Sequence, residues 1–486
     1  MAGIVLNNPA TQNPTTIAAG MTVVNIGTAV FGTAIAQWTV TNLGTVEGNG
    51  ASGVGVDLAA GGLVVNGGGG VITGGSVGVA TGGIAGSVVN YGVVAGGTYG
   101  VSLPGLTSAL VNFGMLTGGV AVATVTNSGA IDSTAYGIRI EALTNSGAIA
   151  VSSGSYPSFF SARTLSNSGS IATSDNISGT RLVNSGMIYA GLVSFATAAN
   201  YGLIASSGVL VQGVGGANLN NYGTIEATLY TAVSVSPGGA LVNGGYGLIA
   251  GTQTGVVMNA SSGAAYPAVV NYGTIMGYVG ISAPGAGAVV TNAGTVIGYG
   301  GTALSFASSA DLLVVDPGAV FVGVVAGYGS TLELAAGYNP GTLSRLGVSF
   351  TNFGAVSIDP GAAWVFRAVA PSAYIGIYIG SYASAEFRGP VGSGVGVVFT
   401  AAYETLKLDR PRQFAGAVFG FQPGDTIDLA RVRATGYSYS YGVLSLTNAG
   451  TPVTQLHVST TYPGASAFAL SRDGAGGTDI TLVLKG

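Results

Sequence analysis

A short phrase, Asn-x-Gly-x-(hydrophobic), recurs along most of this chain and constrains its fold more than any other feature. It reads Asn42-Leu-Gly-Thr-Val46, Asn90-Tyr-Gly-Val-Val94, Asn112-Phe-Gly-Met-Leu116 and Asn127-Ser-Gly-Ala-Ile131. It continues at Asn145, Asn167, Asn184, Asn200, Asn221, Asn271 and Asn292, and returns at Asn352. Degenerate copies stand at Asn25, Asn66 and Asn243. From Asn42 to Asn292 the 12 intervals span 250 residues, a mean near 21, and single intervals run from 15 to 28.

Each period has one anatomy. A hydrophobic pair often precedes the Asn, as in Val88-Val89-Asn90. A Gly turn follows, then a short Thr/Val/Ile segment, then a Gly/Ser/Ala stretch of variable length. Short β-branched segments between Gly turns read as strands. A helical repeat would carry far fewer Gly and a charged outer face. A period near 21 with two or three short strands is one coil of a parallel β-solenoid, its coils stacked about 4.8 Å apart. Ragged intervals fit, because insertions bulge outward without breaking the stack.

Stacking gives the phrase a physical role. An amide holds donor and acceptor in one group, so Asn side chains can hydrogen-bond from coil to coil as a structural ladder. The Gly two residues on is expected to adopt a backbone conformation closed to residues with a Cβ. The x position is Tyr, Phe or Leu in some coils and Ser through 128–185, which predicts aromatic stacking in parts of the ladder. Like charges one coil apart repel by about 1 kcal/mol even in water, so a stack favours neutral side chains. Only 6% of residues here are charged, while 48% are hydrophobic. That balance supports a large core and argues against polar disorder. Gly is 86 of 486 without a three-residue period, so collagen is excluded. No apolar run is long enough for a spanning helix, no Cys is present, and a net charge of −4 gives no footprint for nucleic acid. The N-terminal residues show no basic, apolar signal-peptide pattern.

Over roughly 20–300 the repeat resembles the stacked coils of bacterial parallel β-helix exoproteins, including autotransporter passenger regions. The resemblance implies a right-handed coil. Residues 1–20 are expected to form an edge segment, 21–305 the regular solenoid, 306–405 variant coils, and 406–486 a C-terminal β module. Phe414-Ala-Gly-Ala-Val-Phe-Gly-Phe-Gln-Pro-Gly-Asp-Thr-Ile-Asp-Leu429 is similar to modules near the C-termini of large proteobacterial exoproteins, and the tail from Ser471 to their closing strand. That resemblance implies type I secretion by an uncleaved C-terminal signal, and an extracellular or cell-surface location.

Candidate chemistry is sparse. Residues 1–310 hold nine charged groups, among them Glu47, Asp57, Asp132, Arg139, Glu141, Arg163 and Arg181. Paired carboxylates for glycoside hydrolysis must face one bond. Glu47/Asp57 and Asp132/Glu141 lie ten and nine residues apart, off the coil period. Arg139 with Glu141 reads as a surface ion pair, and His457, the single histidine, as an exposed strand residue. Two tyrosine stripes, Tyr374/Tyr378/Tyr382 and Tyr437/Tyr439/Tyr441, offer either a subunit contact, a sugar-stacking platform or core filling. Asp425, Asp428, Asp473 and Asp479 could wrap a calcium ion; Asx-turns are the plainer reading. No other cofactor is expected. The chain thus reads as a non-enzymatic structural protein that associates with itself through solenoid ends or faces. A monomeric adhesin or glycan-binding module is the alternative, and a polysaccharide lyase or hydrolase ranks below both.

Overall fold

The computed structural model describes residues 2–83, 85–133, 137–152, 160–211, 217–260, 265–461 and 466–484; Lys485 and Gly486 of the tail lie outside them. The chain resolves into two compact units, 1–234 and 235–486, dividing within the span expected to form one regular solenoid.

In the first unit the chain winds through three rows of short parallel strands, as a β-solenoid does. Row A holds the strands that end in the repeated asparagine: Trp38–Asn42, Gly62–Asn66, Gly86–Asn90, Ala109–Asn112 and their successors. Row B opens after the Asn-x-Gly turn, as in Val71–Gly74, Ala130–Ser133 and Ala148–Val151. Row C includes Val77–Thr81 and Val209–Val211. Where the interval is short the rows fuse, so that Met115–Asn127 runs through all three.

Register is strict, like residue over like residue. In row B, Val46, Ile72, Val94, Leu116, Ile131, Ile149, Ile171, Ile188, Ile204 and Ile225 form one unbroken inward column. All are buried. Alternation along each strand sends these side chains inward and their neighbours to solvent. Each buried Ile or Val contributes about 2–3 kcal/mol of hydrophobic stabilisation before entropy is counted.

The asparagines close the coil corner between rows A and B. From Asn42 through Asn66, Asn90, Asn112, Asn127, Asn145, Asn167, Asn184 and Asn200 to Asn221, each Nδ2 donates to the next residue's Oδ1 at 2.7–2.9 Å. The same Nδ2 reaches a backbone carbonyl opening row B in the next coil, as Asn145 does to Ser170 at 3.2 Å. These side chains are essentially inaccessible to water. A buried amide with its donors and acceptor engaged stabilises; a half-satisfied one does not.

The glycine of the phrase is required for a different reason from the one its sequence suggests. Gly129, Gly147, Gly169, Gly186 and Gly202 are not in the positive-φ region. Space is what they lack. A Cβ at Gly147 would sit 2.1 Å from the carbonyl oxygen of Gly129 in the coil below, and the same contact repeats at 2.0–2.2 Å from Gly129 to Gly223.

The second unit begins in the same style. Ala240–Asn243, Ala268–Asn271 and Val289–Asn292 stack in row A, with amide bonds from Asn243 to Asn271 (2.9 Å) and Asn271 to Asn292 (2.8 Å). The row then turns apolar. Asn292 is overlaid by Val315, then Leu334, Ile358, Ile379 and Phe399. Asn352 is therefore not a rung. It is exposed with φ 56°, and the strand after it, Ala355–Ile358, belongs to row A. The phrase matches in letters, but it opens the wrong row, and Ile358 fills the asparagine slot.

From Gly341 onward a second, seven-stranded sheet takes over the opposite side of each coil: Gly341–Leu343, Ala363–Phe366, Ser384–Phe387, Thr405–Leu408 and Thr426–Leu429 in parallel. Parallel stacking ends in antiparallel strands. Thr478–Leu484 and Ser466–Arg472 close this sheet, while in row A Thr451–Thr460 still stacks parallel on Ala417–Phe421 and Val443–Asn448 and Gly436–Ser440 follow it antiparallel.

Two substitutions test this account. Asn145→Ala removes the partner of both the Asn127 Nδ2 and the Asn167 Oδ1, and should cost roughly 2–4 kcal/mol. Gly147→Ala forces a Cβ onto backbone and should cost about 2–3 kcal/mol. Urea unfolding measures both, and a midpoint within error of the parent's for either would contradict the packing described.

Candidate functional site

No catalytic constellation emerges from the residues singled out by sequence. Glu141 pairs with Arg163 of the next coil at 3.8 Å, both largely exposed, while Arg139 stacks in register between Ala121 and Ser161. Asp132 lies in row B between Thr117 and Ala150. Glu47 and Asp57 belong to rows B and C respectively, and burial pushes the Asp57 carboxyl above its ordinary range. His457 is an exposed strand residue opposite Val443.

The x position of the phrase forms an outward column beside the asparagine row. Tyr91 stacks on Phe113 (5.0 Å between centroids, 6° between planes) and Tyr201 on Tyr222 (5.3 Å, 11°). Ser128, Ser146, Ser168 and Ser185 fill the rungs between, with Ser128 and Ser146 hydroxyls 3.0 Å apart.

The tyrosine stripes divide. Tyr378 projects from Ile375–Ile379, and Tyr374 is exposed just before it. Tyr382 lies on a turn, where its ring stacks on Tyr403 at 5.2 Å. Both have positive φ, 59° and 67°, at the position that Gly361 and Gly424 take in neighbouring coils. These are four-residue turns closed by bonds such as Ala383 N–H to Gly380 O (2.9 Å), and the third residue must be left-handed. Tyr437 and Tyr439 pack edge-on against Phe468, and the Tyr439 hydroxyl donates to the Val458 carbonyl. Tyr441 alone of this stripe is fully exposed.

The four aspartates also separate. Asp428 and Asp479 are directly opposed on antiparallel strands, and burial raises the carboxyl pKa of each, with the nearby Asp473 charge adding to the rise. Lys407 bridges Asp428 at 3.8 Å, and Asp473 accepts the N–H groups of Ala475 and Gly477 in an Asx-type turn. Asp425 belongs elsewhere, buried in the turn after Phe421. Among the described residues no group of three or more His, Asp or Glu is arranged to hold a metal ion.

Asp425 and Glu404 form a buried acidic pair in successive turns. Glu404 accepts the N–H groups of Thr400 and Ala401 at 2.7–3.1 Å; Asp425 accepts those of Gln422 and Glu404 at 3.0 and 3.2 Å. One coil earlier the same slot holds buried Ala383. Burial outweighs these donors and pushes Glu404 up to about 7, with the Asp425 charge adding to the rise; burial likewise pushes Asp425 up to about 6.

A feature missed by sequence reasoning lies at the corner after the second sheet's parallel strands. Arg345, Arg367, Arg388, Arg410 and Arg431 recur at intervals of 22, 21, 22 and 21, one per coil. All are exposed. Arg388 is clamped by Glu386 through two bonds of 3.1 and 3.2 Å. At the last two coils Arg412 and Arg433 join Arg410 and Arg431 around a cleft of about 600 Å³, walled also by Asp409, Gln413, Asn448 and Val453. Arg412 Nε donates to the Val453 carbonyl and an Arg410 terminal nitrogen to Gln413 Oε1. Among the described residues the salt bridges are those of Arg163, Arg388 and Lys407, so none of the four cleft arginines forms one, and Asp409 is the one carboxylate in the wall.

These rows define a repeat protein of the parallel β-solenoid class. The chain matches no family model, no curated protein and no solved structure.

The acidic pair generates a pH dependence. Carboxyls whose pKa is raised by folding bind protons more tightly folded than unfolded, so their contribution is full below the unfolded value and lost as pH rises through the folded one. Stability should fall between about pH 4 and pH 7. The urea midpoint is expected to be higher at pH 5 than at pH 7.5, and Glu404→Gln should flatten the difference; a parent midpoint that rises over this interval would contradict it.

Proposed function

We propose that this chain is a non-enzymatic structural protein, exported from a bacterial cell, that builds a surface coat or matrix by lateral association of its solenoid faces. The observation that carries the reading is the outer face of row A in the first unit. Seven strands between Trp38 and Asn167 carry no charged side chain at their in-register outward positions in row A, the exposed Glu141–Arg163 pair standing one residue before them at the corner with row C. Its central column reads Thr41, Val65, Val89, Val111, Thr126, Thr144 and Ser166 in register.

A flat, uncharged lattice of β-branched and small side chains repeating every coil is complementary to a second copy of itself. Two such faces can interdigitate as dry sheets do. Natural sheets that must stay apart set charges on comparable surfaces. Here the first charged side chain on the face is Arg181.

Among the described residues Ile4–Leu6 and Thr15–Ile17 each pair on one side only, with Val30–Gly32 and Val40–Asn42. The antiparallel strands after Gly436 disfavour edge pairing in the second unit, so faces rather than head-to-tail coils are the main route. Extracellular location rests on the exoprotein-like repeat and on the Phe414–Leu429 module. No helix among the described residues is long and apolar enough to cross a membrane.

Purified protein is expected to form assemblies in light scattering and negative-stain images, with a 4.8 Å reflection. Val89→Glu with Thr144→Glu, three coils apart on the face, should leave the far-UV spectrum unchanged and yield monomers. A parent protein that stays monomeric at high concentration, or a double variant that assembles equally well, would overturn the reading.

A further inference from the structure

We infer that the arginine corner of the second unit is a binding site for an acidic polysaccharide, with its deepest point at the cleft of Arg410, Arg412, Arg431 and Arg433. Four of the chain's thirteen basic residues surround this one cleft, in a molecule whose net charge is −4 and whose charged fraction is 6%. Gathering guanidinium groups costs repulsion, and the nearest opposing acids do not offset it: Asp409 is the single carboxylate in the wall. Glu386 is already engaged by Arg388.

An external anion supplies the missing charge. Guanidinium is suited to this, because its planar fork takes carboxylate or sulfate oxygens two at a time.

The corner also has a direction. Arg367 and Arg388 stand one residue past the paired Phe366 and Phe387, and Arg410 and Arg431 two residues past the paired Leu408 and Leu429, so each of these coils, about 4.8 Å apart, sends one arginine out at this corner, with Asp409 in register with Arg388. An extended chain of uronic acids carries one carboxylate per sugar, at a repeat of similar length, and so can meet one arginine per coil along this corner. Gln413 and Asn448 in the wall offer amides to sugar hydroxyls.

Single-stranded nucleic acid is the other linear polyanion, but sites for it add aromatic platforms for the bases. No aromatic residue lines this cleft. The site is remote in sequence from the row A face and does not depend on self-association.

The test uses the full-length chain with polygalacturonate, neutral dextran and an oligothymidylate as probes, titrated in low salt by calorimetry. Polygalacturonate should bind and dextran should not, and affinity should fall at least tenfold from about 50 to 200 mM salt as screening grows. Changing Arg410, Arg412, Arg431 and Arg433 together to Ala should lower affinity at least tenfold, while Arg163→Ala changes nothing. Should the quadruple variant unfold, Arg431→Glu with Arg433→Glu, both exposed, serves in its place with the same expected loss. No binding of polygalacturonate, binding indifferent to these arginines, or an oligothymidylate that binds more tightly at the same arginines would each overturn the inference.

Discussion

The structure depends on a side-chain amide that is useful only when another lies directly above it. A lone buried Asn would cost the fold an unsatisfied donor or acceptor. In a stack, each amide satisfies its neighbours, and the chain of bonds from Asn42 to Asn221 turns that liability into a register device. A slip of one residue in any coil would leave two amides facing methyl groups. Strands alone specify register weakly when both faces carry similar small side chains. The amide row supplies what the Val- and Ala-rich strands lack.

The second unit relaxes this constraint. Past Asn292 the slot passes to Val315, Leu334, Ile358, Ile379 and Phe399, so the corner is held by apolar packing. Where the amides end, charge returns. Acids cap turns at Asp311, Glu404 and Asp425, accepting backbone N–H groups that have no ladder partner. Arginines collect at the corner. A coil held by wide side chains and capped turns can carry charge at its edges, whereas the narrow amide coils stay neutral over most of their length.

The stacked fold was legible because its signal is periodic and chemically unusual: buried Asn followed by Gly has few other uses. The reason for the Gly was not legible, since a left-handed dihedral and a carbonyl 2.1 Å from an absent Cβ select the same residue. Asn352 misled because letters do not reveal the row. Only the pairing of Ile358 with Leu334 shows that its strand precedes the corner instead of following it. Alternation identified the face of Tyr437 and Tyr439, but Phe468, distant in sequence, determines what covers it. The arginine interval of 21–22 is present in the sequence, but only the strand pairing shows that these residues leave successive coils at one corner.

The central claim is that the asparagine amides are bonded to one another inside the stack. Hydrogen exchange of side-chain amide protons, read by NMR on protein labelled with ¹⁵N at asparagine, tests it most directly. Row residues such as Asn127, Asn145 and Asn167 should exchange orders of magnitude more slowly than exposed Asn7 and Asn339. Uniformly fast exchange across all asparagines would contradict the account.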